Sequence, residues 1–360
     1  MISRSTLFSS VGGDIIQMQK TAEYLRLLGV EVDIKLTDEK IDYKKYDLMH
    51  FFNIIRPNDF LIHVKNSHLP FVISTIFVDY SEYEKKARTG ILKYLNKVFS
   101  SDQIEYLKVF ARLLKNREKA AILDYLWRGQ KKSIIHLIKK SSLLLPNSNS
   151  EYKRLEKHFK VSQKYQVIPN AIDTNVFKPS LAPQVRYQDS IICVGRIEGR
   201  KNQLNVIKAI NKTEYKLFII GKKSPNQISY YKACVEEARG NKNISFIEHL
   251  SQAELSEIMH VARVHILASW FETTGLVSLE AGYLGCNLVI TDKGDQKEYF
   301  EKMATYCDPE QVESIVQAIE VAYNKPHDTR LKEKILSTYT WEYTAKQTLL
   351  AYKDVLGKKI

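Results

Sequence analysis

The chain has 360 residues, 44% of them hydrophobic and 26% charged, with a formal net charge of +13. That length is too great for one compact core and suits two α/β domains, and the composition excludes a globally disordered chain. Its four cysteines, Cys193, Cys234, Cys286 and Cys307, form no CxxC pair; they read as reduced thiols and argue against a disulfide framework or a zinc site.

Met1 to Phe8 has no apolar stretch long enough for a signal peptide, and no window approaches the roughly eighteen apolar residues of a spanning helix. A cytoplasmic protein is expected. Ser9-Ser10-Val11-Gly12-Gly13-Asp14 then opens a helix whose apolar residues Ile15, Ile16, Met18, Ala22, Leu25 and Leu28 recur at helical spacing until Gly29. Val30–Ile34 alternates like a strand, and further strands are expected at Leu48–Phe52 and Phe71–Val78.

Residues 84–140 read as helical and basic. Between Lys85 and Lys140 stand 15 Lys or Arg against 4 Asp or Glu, a net of +11, so the rest of the chain carries only +2. The stripe Ile104, Leu107, Phe110, Ala111 and Leu114 lies beside Lys108, Arg112, Lys115, Arg117 and Lys119. Two readings stand: a helix packed on the sheet with a solvated basic back, or a helix docking on anionic lipid headgroups. The charge excess favours the second, with the protein peripheral on the inner face of the cytoplasmic membrane. Nucleic acid is not an expected partner, because no base-stacking aromatics interleave with the basic residues on a known module.

Leu143–Pro146 and Gln166–Pro169 read as short strands flanking a helix over Glu151–Phe159. Phe177–Pro183 reads as a linker. A second series of strands follows at Ser190–Gly195, Lys216–Gly221, Ile244–Ile247, Val264–Ala268 and Leu288–Thr291, with helices between. This alternation predicts a parallel sheet covered on both faces. An amphipathic helix, Trp341–Leu356, ends the chain with no strand after it.

A parallel sheet presents ligands at the carboxyl ends of its strands. After Val194 come Gly195 and Arg196, with Lys201 close behind. After Ala268 come Ser269-Trp270-Phe271-Glu272-Thr273-Thr274-Gly275-Leu276-Val277-Ser278-Leu279-Glu280. Two cations and two carboxylates thus share one rim, as a nucleoside diphosphate sugar would require. Arg196 can fork onto a diphosphate, Lys201 adds a point charge, and a helix starting near Gly275 aims free N–H groups at the same place. A carboxylate is ill placed against a diphosphate, so Glu280 is expected on ribose hydroxyls and Glu272 on a sugar hydroxyl. Taken singly, each of the four has a plainer reading as a surface charge or a first-turn carboxylate; together they favour a site. A glycoside hydrolase built on Glu272 and Glu280 is disfavoured, since the two do not flank one bond.

Glu272-x7-Glu280, Ala281-Gly282-Tyr283-Leu284-Gly285-Cys286, Gly195-Arg196 with Lys201, and Ile168-Pro169-Asn170-Ala171-Ile172-Asp173 with Phe177 together resemble the retaining glycosyltransferases of family four. The likeness runs through nearly the whole chain and is strongest from about Pro146 to Phe300. It implies the GT-B fold: two Rossmann-like domains with an interdomain cleft and a C-terminal crossover helix. The expected division is an acceptor-side domain over 1–180, a donor domain over 181–340, and 341–360 returning to the first. It also implies transfer from a UDP- or GDP-sugar, with retention, to an acceptor hydroxyl. A lipid-linked saccharide in bacterial polysaccharide or O-antigen synthesis is the expected acceptor. No cofactor or metal is expected, and the chain has no Asp-x-Asp motif. A sugar-nucleotide epimerase of the same architecture is the first alternative, and a basic nucleic-acid-binding protein, prompted by the +13 charge, the more distant one.

By the same resemblance Arg196, Lys201 and Glu272 are catalytic, and Gly12, Gly13, Gly195, Thr274, Gly275, Leu276, Val277 and Glu280 help bind the donor. The chain departs from the family where a histidine is common after the fourth strand. Phe77 stands there, and Asp79 is the polar residue nearest to replace it. His50 and Asn53 follow another strand; His50 reads more readily as a strand-end residue without a catalytic role.

Overall fold

The computed structural model describes residues 1–4, 13–86, 103, 123–178 and 184–357. Gly12, most of the basic 85–140 segment with its apolar stripe, and residues 179–183 of the expected linker lie outside the described residues. The chain forms two compact units. The first comprises Met1–Phe77, Thr89–Asn170 and Trp341–Ile360; the second comprises Val78–Arg88 and Ala171–Thr340.

The first unit is built on a parallel sheet of β1 (Ile2–Ser3), β2 (Lys35–Leu36), β3 (Met49–Phe52), β4 (Phe71–Ser74) and β5 (Leu143–Leu144), in the order β2-β1-β3-β4-β5. β3 and β4 are buried throughout, as fits a sheet covered on both faces. Phe51, Phe60, Phe71, Ile73, Leu137 and Leu144 pack its core. The helix Gly13–Leu27 buries Ile15, Met18, Ala22 and Leu25, and the chain turns at Gly29 with φ +81°. The last helix, Trp341–Leu356, packs against it and buries Trp341, Ala345 and Ala351.

Three expected strands differ from those observed. Val30–Ile34 is irregular, and pairing begins only at Lys35, whose N–H donates to the Met1 carbonyl. β4 stops at Ser74 because Ile76 adopts φ +44° and the buried Glu151 carboxylate draws the following turn inward, accepting from Thr75 Oγ1 and from the Phe77 amide at 2.8 Å. Gln166–Pro169 bonds alongside β5, with Gln166 N–H to the Leu144 carbonyl at 2.9 Å, but is no strand; the isolated bridge there pairs Tyr165, just before it, with Leu144. The helix Leu123–Lys140 is broken at Gly129, with φ +70° and ψ 175°. Among the described residues no helix is long and apolar enough to cross a membrane.

The second unit holds β6 (Ile191–Val194), β7 (Leu217–Ile220), β8 (Ile244–Ile247), β9 (Val264–Leu267), β10 (Asn287–Thr291) and β11 (Thr305–Cys307). All pair in parallel in the order β11-β10-β9-β6-β7-β8. β11 carries only three residues and has no counterpart in the sequence reading. The division between units falls after Asn170 rather than at 180, because Ile172 and Phe177 join the core of the second unit. The segment Val78–Arg88 also belongs there.

Candidate functional site

The strand order places β6 beside β9 in the middle of the second sheet. The loops that leave their carboxyl ends therefore start side by side. After β6 the chain turns at Gly195, with φ +148°. At Gly221, after β7, a Cβ would strike the Gly195 carbonyl oxygen, so only glycine lets the two loops approach. They then zip together: Ile197 N–H donates to the Lys222 carbonyl at 2.9 Å, and Ser224 N–H to the Ile197 carbonyl at 3.1 Å. Arg196 sits on this joined edge with an exposed side chain.

Lys201 ends the short 3-10 turn Gly199–Lys201. The next residue, Asn202, is left-handed at φ +60° and pins the turn by donating from Nδ2 to the carbonyls of Ala268 (3.0 Å) and Pro309 (2.7 Å). Lys201 Nζ thereby reaches Glu272 Oε1 at 2.5 Å. Burial opposes the lysine's charge, but the Glu272 carboxylate outweighs it and holds the pKa above the ordinary lysine value. The sequence reading sent these two side chains to different parts of a ligand; the fold joins them in one ion pair. Glu272 is itself held by its backbone. Its carbonyl accepts from Asp295 N–H at 2.9 Å, and Gly294, at φ +89°, lies so close beneath that a Cβ would overlap that carbonyl.

Gly275, at φ +65°, precedes the helix Leu276–Tyr283, which no side chain caps. The amides of Leu276 and Val277 at its first turn thus have no carbonyl partner within the helix. Around this turn Ser269 Oγ, Thr274 Oγ1 and Gln296 Oε1 are buried, and none has a hydrogen-bond partner among the described residues. Glu280 lies one turn further on. Burial pushes its carboxyl up to about 8, and no cation or donor pairs with it among the described residues. Its carboxyl thus keeps its proton to a higher pH than an ordinary glutamate does.

Tyr80 and Tyr83 explain why Val78–Arg88 joins this unit. The Arg200 guanidinium lies 4.5 Å from the Tyr80 ring centroid and bonds Glu198 at 2.7 Å. Tyr80 packs edge-on to Phe271, and the Tyr83 hydroxyl fills the space where a Cβ at Gly199 would go. Glu82 bridges to Lys293 at 3.3 Å, and Lys86 to Glu310 at 2.6 Å. Asp79 is half-buried in this segment. The sequence reading did not single out Asn202, Gly294, Gln296, Tyr80 or Arg200. An asparagine directly after a basic pair was the one local signal, since asparagine tolerates the left-handed turn.

Other expected residues lie in the first unit. Gly13 begins the helix Gly13–Leu27. His50 is buried, with Nδ1 on the Tyr352 hydroxyl at 2.7 Å and Nε2 on Ser74 Oγ at 2.9 Å, and burial holds its pKa well below the ordinary value. It is a satisfied core histidine. Asn53 adopts φ +76° and donates from Nδ2 to Asp14 Oδ2 at 3.3 Å. Phe77 is a core residue packed on His158 and Phe159.

Residues 184–337 match the model of the family described as "Glycosyl transferases group 1". A probable sucrose-phosphate synthase of Thermosipho melanesiensis is 27% identical over 217 residues, covering 56% of this chain and 50% of the relative. A Campylobacter jejuni N-acetylgalactosamine-N,N'-diacetylbacillosaminyl-diphospho-undecaprenol 4-alpha-N-acetylgalactosaminyltransferase is 27% identical over 215 residues, covering 54% of this chain and 55% of the relative. The chain thus spans about half the length of these curated relatives. The solved sucrose-phosphate synthase of Thermosynechococcus elongatus superposes with a TM-score of 0.77 at 14% identity, covering 99% of this chain and 98% of that one. The two parallel-sheet units are those of the GT-B fold.

Proposed function

We propose, from the match of residues 184–337 to the glycosyl transferases group 1 model, that the chain is a retaining glycosyltransferase using a UDP- or GDP-sugar. The observation that carries this reading is the Lys201–Glu272 pair beside the uncapped start of the helix Leu276–Tyr283, with Glu280 on the same helix. Arg196, Lys201 and the amides of Leu276 and Val277 supply positive potential where a diphosphate gains charge on leaving. That role needs no metal ion. Glu272 holds a sugar hydroxyl and fixes the anomeric carbon, while Glu280 takes the ribose hydroxyls. The acceptor hydroxyl attacks on the face the diphosphate leaves. The bond from the anomeric carbon to the phosphate oxygen breaks, the bond to the acceptor oxygen forms, and the acceptor proton passes to the leaving phosphate. No enzymic nucleophile is needed.

A lipid-linked saccharide is the proposed acceptor, supported by the diphospho-undecaprenol acceptor in the name of the Campylobacter relative. Docking on an anionic membrane surface fits the basic character of 85–140. In its described part, Trp127 is 88% exposed, next to the exposed Arg128, Lys131 and Lys132.

The test is product analysis with UDP- and GDP-sugars and an undecaprenyl-diphosphate-linked acceptor. Transfer with free nucleoside diphosphate is expected. An epimerised sugar nucleotide without acceptor product would overturn the reading. Glu272→Gln is expected to lower turnover by about 100-fold or more, with nucleoside diphosphate affinity within about threefold of wild type. Full turnover in the variant would remove Glu272 from the mechanism.

A further inference from the structure

The loops zipped at Ile197 and Lys222 frame a cleft of about 210 Å³ at the carboxyl ends of β7 and β8. It is lined by Ile197, Gly221, Lys223, Tyr231, Phe246 and Glu248. Its volume falls below the range typical of pockets for a whole drug-sized ligand and fits a single planar ring system. Its position is tied to the diphosphate rim by backbone alone. Gly195 N–H donates to the Ile220 carbonyl at 2.9 Å, Gly221 N–H to the Ile247 carbonyl at 2.8 Å, and Gly221 abuts the Gly195 carbonyl. A nucleoside diphosphate held at Arg196 therefore has this cleft as the neighbouring place for its base.

The cleft has two walls and two charges. Tyr231 stands edge-on to Phe246, with ring centroids 6.1 Å apart, giving apolar surface against which a base can lie. Lys223 Nζ lies 5.8 Å from the Tyr231 ring centroid. Glu248 directly follows β8 and is exposed, and among the described residues its carboxylate has no hydrogen bond or ion pair. An exposed carboxylate acceptor and an ammonium donor thus both line a cleft sized for a base.

We propose that Glu248 makes guanine the base this site selects. This inference rests on the transferase reading of the adjoining rim. An ionised carboxylate only accepts hydrogen bonds. Guanine presents two parallel donors, N1–H and the N2 amine, that match its two oxygens. Uracil presents one N–H flanked by two carbonyl oxygens, which the carboxylate repels. Adenine and cytosine each set a ring nitrogen acceptor beside their amine and meet the same repulsion. Lys223 can donate to the guanine acceptors O6 and N7 on the adjoining edge. Selection therefore combines a paired attraction for guanine with acceptor-against-acceptor repulsion for the others.

Isothermal titration of the full chain with GDP, UDP and inosine diphosphate tests this. GDP is expected to bind about 10- to 100-fold more tightly than UDP, the range for hydrogen bonds to a charged group. Inosine diphosphate lacks the N2 amine and is expected between them. Glu248→Ala should weaken GDP, leave UDP unchanged or tighter, and bring inosine diphosphate level with GDP. UDP binding as tightly as GDP to the wild type, or an unaltered GDP-to-UDP ratio in Glu248→Ala, overturns the assignment while leaving the transferase reading intact. Absence of binding by all three diphosphates overturns the rim reading and this inference with it. The inosine comparison is made on the wild-type chain and so stands whether or not the variant folds.

Discussion

Replacing Glu280 by glutamine should stabilise the nucleotide-free protein while weakening its grip on a nucleoside. Burial lifts the Glu280 carboxyl from the ordinary 4.5 to about 8. Between those values the folded chain keeps a proton that the unfolded chain has released, so stability falls as pH rises through this window. Each pH unit is worth about 1.4 kcal/mol, so the span from 4.5 to 7 sets an upper limit of about 3.4 kcal/mol. Glu280 retains some exposure, and solvent screening reduces this to about 1–2 kcal/mol. Glutamine does not titrate, so the variant lacks this slope. Thermal melts at pH 5, 6, 7 and 8 should show wild type and Glu280→Gln converging near pH 5. At pH 7 the variant should melt about 1–3 °C higher, a gap absent at pH 5. A difference independent of pH, or a variant less stable at pH 8, would refute the reasoning. Ribose hydroxyls donate to the ionised carboxylate, so nucleotide binding to the wild type should release protons near pH 7, a release absent in the variant.

Acid should destabilise the fold through three buried histidines. Burial holds His63 near 4, His265 near 3 and His50 well below the usual range. Below about pH 6.5 the unfolded chain binds protons that the folded chain refuses, so stability present above that pH is lost as it falls. Three such groups outweigh the opposite slope of the single Glu280, leaving a net loss of up to about 3 kcal/mol per pH unit down to pH 5; a melting temperature flat from pH 6.5 to 5 would contradict this. Trp127→Ala should lower flotation with anionic vesicles several-fold and leave nucleoside diphosphate titrations unchanged, since Trp127 is 88% exposed among the described residues. Equal flotation of variant and wild type would remove Trp127 from any membrane contact.

Much of the frame was legible in the sequence because it depends on local patterns. The apolar runs at Ile191–Val194, Leu217–Ile220 and Val264–Leu267 specified buried parallel strands, and the helical spacing before Gly29 specified the first helix. Gly195, Arg196, Lys201, Glu272 and Gly275 stand out in the sequence because they follow strand ends, where parallel sheets present their loops, and Glu280 because it lies one turn into the helix that comes next. Val30–Ile34 misleads because alternation alone does not supply a pairing partner: among the described residues β1 pairs with β2 through Ile2 and Ser3, opposite Lys35 and Leu36.

Tertiary structure decided what those residues meet. Lys201 and Glu272 are 71 residues apart, and only the adjacency of β6 and β9 brings them to 2.5 Å. Glu280 reads as an ordinary acid in the sequence; the packing around it keeps it protonated up to about 8. Tyr80 and Tyr83 belong by sequence to the first half of the chain, yet they pack on Arg200 and Gly199 of the second unit. Composition and periodicity are properties of neighbours along the chain, and they determined the elements and the side chains available for chemistry. Charge state, pairing and the shape of a base-sized cleft depend on neighbours through space, which strand order alone supplied.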